Sequence, residues 1–130
     1  MSWKEALSWP DNPIVALEPE QDVVLLIEEV RPTKYKGKAG HLIDCTTLDG
    51  TGISLRGHRV LVNKISVNLS DEGNLFRIRA IGQVDDYFDY EVQRWEGTPE
   101  EFRSGSDYNE IRNSTEAIIA GLVEALPPRD

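Results

Sequence analysis

The stretch Leu75-Phe76-Arg77-Ile78-Arg79-Ala80-Ile81-Gly82-Gln83-Val84 decides the fold class of this chain. Phe76, Ile78 and Ala80 recur at every second residue with Arg77 and Arg79 between them. A side-chain period of two belongs to a strand with one buried face and one solvated face. Asp85-Asp86 then turns the chain, and residues 87–95 read as the strand that follows. Upstream, Val23-Val24-Leu25-Leu26-Ile27 is an apolar, β-branched run of strand length, so residues 22–30 read as a strand ended by Pro32. Residues 41–48 give a second strand, Asp49-Gly50 a hairpin turn, and residues 53–56 a third strand. Between the first two strands, residues 33–40 set two glycines and three lysines around Tyr35 and read as an exposed basic loop.

Two helical signals flank the last pair of strands. Leu61, Ile65 and Leu69 recur every four residues and predict a helix over 58–69, against the strand preference of Val60, Val62 and Val67. After Gly97, Thr98-Pro99-Glu100-Glu101 places a capping side chain before a proline at the first helical position. Residues 107–126 carry an apolar stripe of Ile111, Ile118, Leu122 and Ala125, and Pro127-Pro128 stops that helix. Residues 1–21 hold Trp3, Trp9, Pro10, Pro13 and Pro19 without a period, which predicts an irregular arm with a helical turn around Trp3 to Leu7. The chain thus divides into an arm (1–21), a mainly β domain (22–97) and a helical extension (98–130).

The order strand, strand, strand, helix, strand, strand carries several short motifs. They are Tyr35-x-Gly37, Asp49-Gly50, Leu55-Arg56-Gly57-His58 with Leu61 after it, Phe76-Arg77-Ile78-x-x-x-Gly82 and Tyr90-Glu91-Val92. In that order and spacing, residues 22–96 resemble the small bacteriophage single-stranded-DNA-binding proteins built on the oligonucleotide/oligosaccharide-binding (OB) fold. The resemblance implies a five-stranded OB-type barrel (β-β-β-α-β-β) that binds single-stranded DNA, or RNA, in phage-like replication or recombination. It also implies a ligand surface across the second and third strands, framed by the loops joining strands one and two and strands four and five.

Composition narrows the classes further. At 130 residues, 39% hydrophobic and 28% charged, the chain fits one globular domain with an arm. No apolar run approaches the roughly 20 residues that span a bilayer, and the start lacks the basic-then-apolar pattern of a signal peptide. A cytoplasmic protein with no membrane partner is expected. The single cysteine, Cys45, lies in a predicted strand on the face of His41 and Ile43, where a buried inert thiol is expected rather than a nucleophile. Two histidines and one cysteine give no zinc-ligand spacing, and Gly50-x-Gly52 lacks the following lysine and helix of a phosphate loop. Glu28-Glu29 and Asp85-Asp86 are adjacent acids that point apart. The expectation is a binding protein and not an enzyme, with no cofactor and no metal.

Net charge is −9, but it is unevenly spread. Residues 1–30 hold one lysine against seven acids, residues 31–65 hold seven lysines or arginines against two, and residues 66–130 hold six arginines against fourteen acids. A basic middle between acidic flanks suits a polyanionic ligand. Single strands are held by cations that track phosphates and by rings that stack on bases. The candidate nucleic-acid-binding residues are therefore Lys34, Tyr35, Lys36 and Lys38 in the loop, and His41, Arg56 and Arg59 on or beyond the second and third strands. Arg77, Arg79, Tyr87 and Trp95 complete the set from the last two strands. Arg77 and Arg79 have a competing reading as cross-strand ion pairs with Asp89 and Glu91. Tyr87, Phe88 and Tyr90 compete as core residues. The alternative function is a protein-interaction module, a virion component or an acidic inhibitor of a host defence or nucleic-acid enzyme, with a host or phage protein as partner. A sugar- or nucleotide-binding domain is a further rival. The last helix packs on the barrel or makes a homo-oligomer.

Overall fold

The computed structural model describes residues 12–35, 37–71 and 73–126. Its elements run β1 (Ile14–Val15), β2 (Asp22–Tyr35), β3 (Lys38–Thr46), β4 (Gly52–Arg56), α1 (Arg59–Ser66), β5 (Leu75–Val84), β6 (Tyr87–Arg94), α2 (Pro99–Arg103) and α3 (Tyr108–Glu124). The strands form one curled sheet in the order β1-β4-β3-β2-β5-β6, a mixed half-barrel. Every pairing is antiparallel except that of β1 with β4.

The long strand β2 organises the sheet. Its first half pairs with β5, from Asp22 opposite Arg79 to Leu26 opposite Leu75. Its second half pairs with β3, from Leu26 opposite Thr46 to Tyr35 opposite Lys38. A register shift between Ile27 and Glu29 separates the two halves. A bulge of this kind bends and twists a strand, which lets one strand serve both sides of a curled sheet. A second shift lies between Ala80 and Gly82. There Gly82 has φ +116°, and a Cβ would stand 3.4 Å from the Pro19 ring, so a side chain at 82 is disfavoured twice over.

Val23, Leu25, Ile43, Leu55, Phe76 and Ile78 of the concave face form the main core with Leu61 and Ile65 of α1 and Ile119 of α3. Each such side chain contributes about 2 kcal/mol by leaving water. A smaller cluster of Val24, Leu48 and Leu75 lies on the opposite face, where Phe102 of α2 and Ile111 of α3 cover it. Beside Val24 strand β3 has already ended, so the Val24 amide lacks a strand partner on that side. Thr115 of α3 supplies one, its Oγ1 accepting at 3.1 Å. Cys45 is fully buried, its thiol donating to the Ile43 carbonyl at 3.2 Å.

Several expectations are corrected. The sheet has six strands and not five, because the described part of the arm adds β1 to the free edge of β4. The helical turn expected around Trp3 to Leu7 falls outside the described residues, as do Lys36 and Pro127-Pro128. Pro32 does not end the first strand. Past Leu26, β2 has no β5 partner and is an edge, where a proline is tolerated. Consequently the stretch read as a loop is mostly ribbon, with Tyr35 opposite Lys38 and Gly37 at φ +79°. The strand over 75–84 and the helix between the third and fourth expected strands are where the sequence put them, the helix being shorter than expected.

Candidate functional site

The β2–β3 ribbon runs past its neighbours. β4 pairs no further along β3 than Leu42 opposite Arg56, so 32–35 and 38–41 pair only with each other. Lys34 stands opposite Ala39 and His41 opposite Pro32, which puts both on the ribbon face that continues the concave side. Lys38 and Arg56 occupy the opposite face. Below the ribbon, Ala39, Gly40, His41, Gly57, Arg59, Val62 and Asn63 line an open recess of about 530 Å³ between β3 and the start of α1. Lys34, Lys38, His41 and Arg59 are exposed and have no ion-pair or hydrogen-bond partner among the described residues. Arg56 is exposed at the end of β4. The side chains of Tyr35 and Lys36 lie outside the description.

The centre of the β3–β4 outer face, where the resemblance would lay a ligand, is closed instead. Asp44 is buried there, accepting from Arg31 Nε at 2.7 Å and from Ser54 Oγ at 2.7 Å. The cations are displaced from the strand centre to the ribbon end.

The two arginines of β5 are spoken for. Arg77 holds Asp22 through two nitrogens, at 2.8 and 3.1 Å. Arg79 holds Glu91 at 2.8 Å and Glu20 at 3.3 Å. Carboxylate hydrogen bonds first, and charge second, hold both guanidiniums above their ordinary pKa, while Arg79 holds Glu91 below its own. Arg79–Glu91 is the cross-strand pair the alternation suggested; Asp89 is paired elsewhere, with Lys64 at 3.3 Å. Lys64 also donates to the Tyr90 carbonyl at 2.6 Å, and the Asp89 carboxylate accepts from the Tyr90 amide at 2.8 Å. These contacts pin α1 to β6.

The aromatic candidates separate. Tyr90 is buried, its hydroxyl 2.7 Å from His58 Nδ1, and the His58 ring stacks on Phe88 at 4.6 Å. Tyr87 and Trp95 remain exposed, at 44% and 39%, at opposite ends of β6. Trp95 stands edge-on to Phe102 at 5.3 Å, and Phe102 lies 5.9 Å from Tyr108. Those rings, with Val24 and Leu75, line a second recess of about 510 Å³ on the convex face. Ten residues of β2 separate Val24 from Lys34, roughly 33 Å of strand path. The structure thus divides the expected residues into a basic ribbon end, a neutralised arginine pair and an aromatic recess. Phe102 and Tyr108 were not singled out from sequence, because nothing in their local pattern shows that α2 and α3 fold back over the end of β6. Among the described residues no group of three or more potential ligands could hold a metal ion, and no helix is long and apolar enough to cross a membrane.

No family model, curated protein or solved structure matches the chain.

Proposed function

We propose that this chain binds single-stranded nucleic acid, DNA before RNA, with little sequence preference and without catalysing a reaction. The observation that carries the reading is the set of unpaired basic residues at the ribbon end. His41 and Arg59 line the recess, and Lys34 and Lys38 stand on the two faces of the ribbon above it, while Arg31, Arg77 and Arg79 are matched to acids. In a chain of net charge −9, an unneutralised basic end selects a polyanion. An exposed two-stranded ribbon beside a helix start can follow a flexible backbone, and such binding is sequence-tolerant when phosphates supply most of it.

The architecture agrees with an OB-type reading of the sheet. A long bent strand pairs with the second and fourth strands of the five-strand core, and a helix links its third strand to its fourth. β1 takes the β4 edge that would otherwise be open to closure. The place in phage-like replication or recombination rests on the sequence resemblance alone.

Fluorescence anisotropy of a labelled thirty-nucleotide single strand, with the matching duplex alongside, tests the proposal. Binding that favours the single strand and weakens with salt supports it. Absence of binding at low salt removes it and favours a protein partner for the acidic α2–α3 surface, where Glu96, Glu100, Glu101 and Glu110 are exposed.

A further inference from the structure

The recess at the end of β6 is chemically unlike the basic end. Its floor is Val24 and Leu75, and its walls carry Trp95, Phe102 and Tyr108. A volume of about 510 Å³ is within the range that takes a small planar ligand. Trp95 is held by its own strand end: its indole N–H donates to the Thr98 carbonyl at 3.0 Å and its backbone N–H to the Leu75 carbonyl at 2.8 Å. A ring fixed in this way stacks on a ligand without losing much side-chain freedom.

One charged group at the mouth lacks a partner: Asp107 makes no ion pair or side-chain hydrogen bond among the described residues. Arg94 stands opposite Phe76 in the ladder, so its side chain shares the concave face with Phe76 and turns away from the recess. Arg77 also lines the recess, but Asp22 neutralises it. One free carboxylate and an aromatic wall match the edge and the face of one base. A carboxylate accepts from an exocyclic amine and repels a carbonyl oxygen, so it favours cytosine over thymine or uracil.

We propose that this recess takes one unstacked, amino-bearing nucleobase, cytosine being the simplest case. Its ring lies against Trp95 and Phe102 and its amine faces Asp107. This rests on the single-strand reading above and adds a second contact, about 33 Å of strand path from the ribbon end. A strand that reaches both contacts binds more tightly than either contact alone would allow. Base preference then enters at one position of an otherwise sequence-tolerant site.

The test compares six-nucleotide oligo-dC with oligo-dT by tryptophan fluorescence, in wild type and in Trp95→Phe. The difference between the two proteins reports the indole at 95 and leaves Trp3 and Trp9 in place. Saturable quenching of that difference signal by oligo-dC, with oligo-dT about fivefold weaker, is expected. Asp107→Asn should erase the preference, since an amide can face either base. The inference is overturned if thirty-nucleotide strands bind and lose binding in Lys34→Glu/Lys38→Glu, yet neither oligomer quenches residue 95. That pattern leaves the single-strand reading standing. Equal quenching by both oligomers overturns the amine selection, and no binding by any strand overturns the inference and the reading together.

Discussion

Arg77 and Asp22 meet across β5 and β2 as a two-point ion pair, with Nη2 to Oδ2 at 2.8 Å and Nε to Oδ1 at 3.1 Å. The pair takes a sheet arginine out of the cations available to a ligand. It also ties the first residue of β2 to the first half of β5. Both side chains are partly solvated, so the pair is worth under about 1 kcal/mol to stability. Arg77→Gln should therefore leave single-strand affinity within about twofold of wild type and lower the denaturation midpoint slightly. Affinity and a urea melt measured on the same preparation check both halves of that statement.

Charge reversal at the ribbon should act in the opposite way. Lys34 and Lys38 are exposed and make no hydrogen bond or ion pair among the described residues, so Lys34→Glu/Lys38→Glu should leave the melt unchanged. Single-strand affinity should fall at least about tenfold at moderate salt. An unchanged affinity would show that the ribbon is only a solvated edge.

Thr115 is the polar residue on the buried stripe of α3, and its hydroxyl satisfies the Val24 amide at the point where β3 stops. Thr115→Val should leave a buried N–H without an acceptor, at a cost of about 1–3 kcal/mol. Thr115→Ser retains the oxygen and should cost less. Urea denaturation of the two variants beside wild type separates the lost hydrogen bond from the lost methyl.

Acid should destabilise the fold through identified carboxylates. The Thr47 hydroxyl first, and backbone amides after it, hold Asp49 below its ordinary pKa. The Tyr90 amide does the same for Asp89, with Lys64 assisting, and Arg79 for Glu91. In each case the folded pKa lies below the unfolded one, so the unfolded chain takes up protons first as pH falls. Their contribution is complete above the ordinary carboxylate range, about pH 5, and is lost as pH drops through the folded values. Asp49→Asn should flatten part of that acid limb in melts taken between neutral pH and pH 3.

Burial pushes the Cys45 thiol well above its usual pKa, and the Asp44 carboxylate adds to the shift. A thiol reagent should leave Cys45 unmodified in the native protein at pH 8. It should react on the timescale of opening of the β3–β4 core, as followed by mass spectrometry in rising urea.

How much of this was legible in the sequence depended on the length scale of each signal. The 75–84 strand alternates from Phe76 to Ala80 and takes a pairing partner from the next segment, so local pattern sufficed. The short strand at Ile14–Val15 carries no periodicity, and its parallel partner lies forty residues away. Pro32 misled because a proline reads as a strand breaker until β2 is known to be unpaired on one side there. Among site residues, the ribbon lysines were visible as a basic cluster in a segment rich in glycine. The neutralisation of Arg77 was not visible, because its acid is Asp22 and not a neighbour on β6. Phe102 and Tyr108 join Trp95 only through the return of α2 and α3 over the sheet.

The most direct test of the central claim is the salt dependence of single-strand affinity in wild type and in Lys34→Ala/Lys38→Ala/Arg59→Ala. Each phosphate contact contributes about 0.7 to the slope of log affinity against log salt, so losing three should flatten it by about 2. A flattening of that size, with no change in the melt, is the predicted result. An equal slope in both proteins would contradict the account, because the phosphates would then be held somewhere other than the ribbon end.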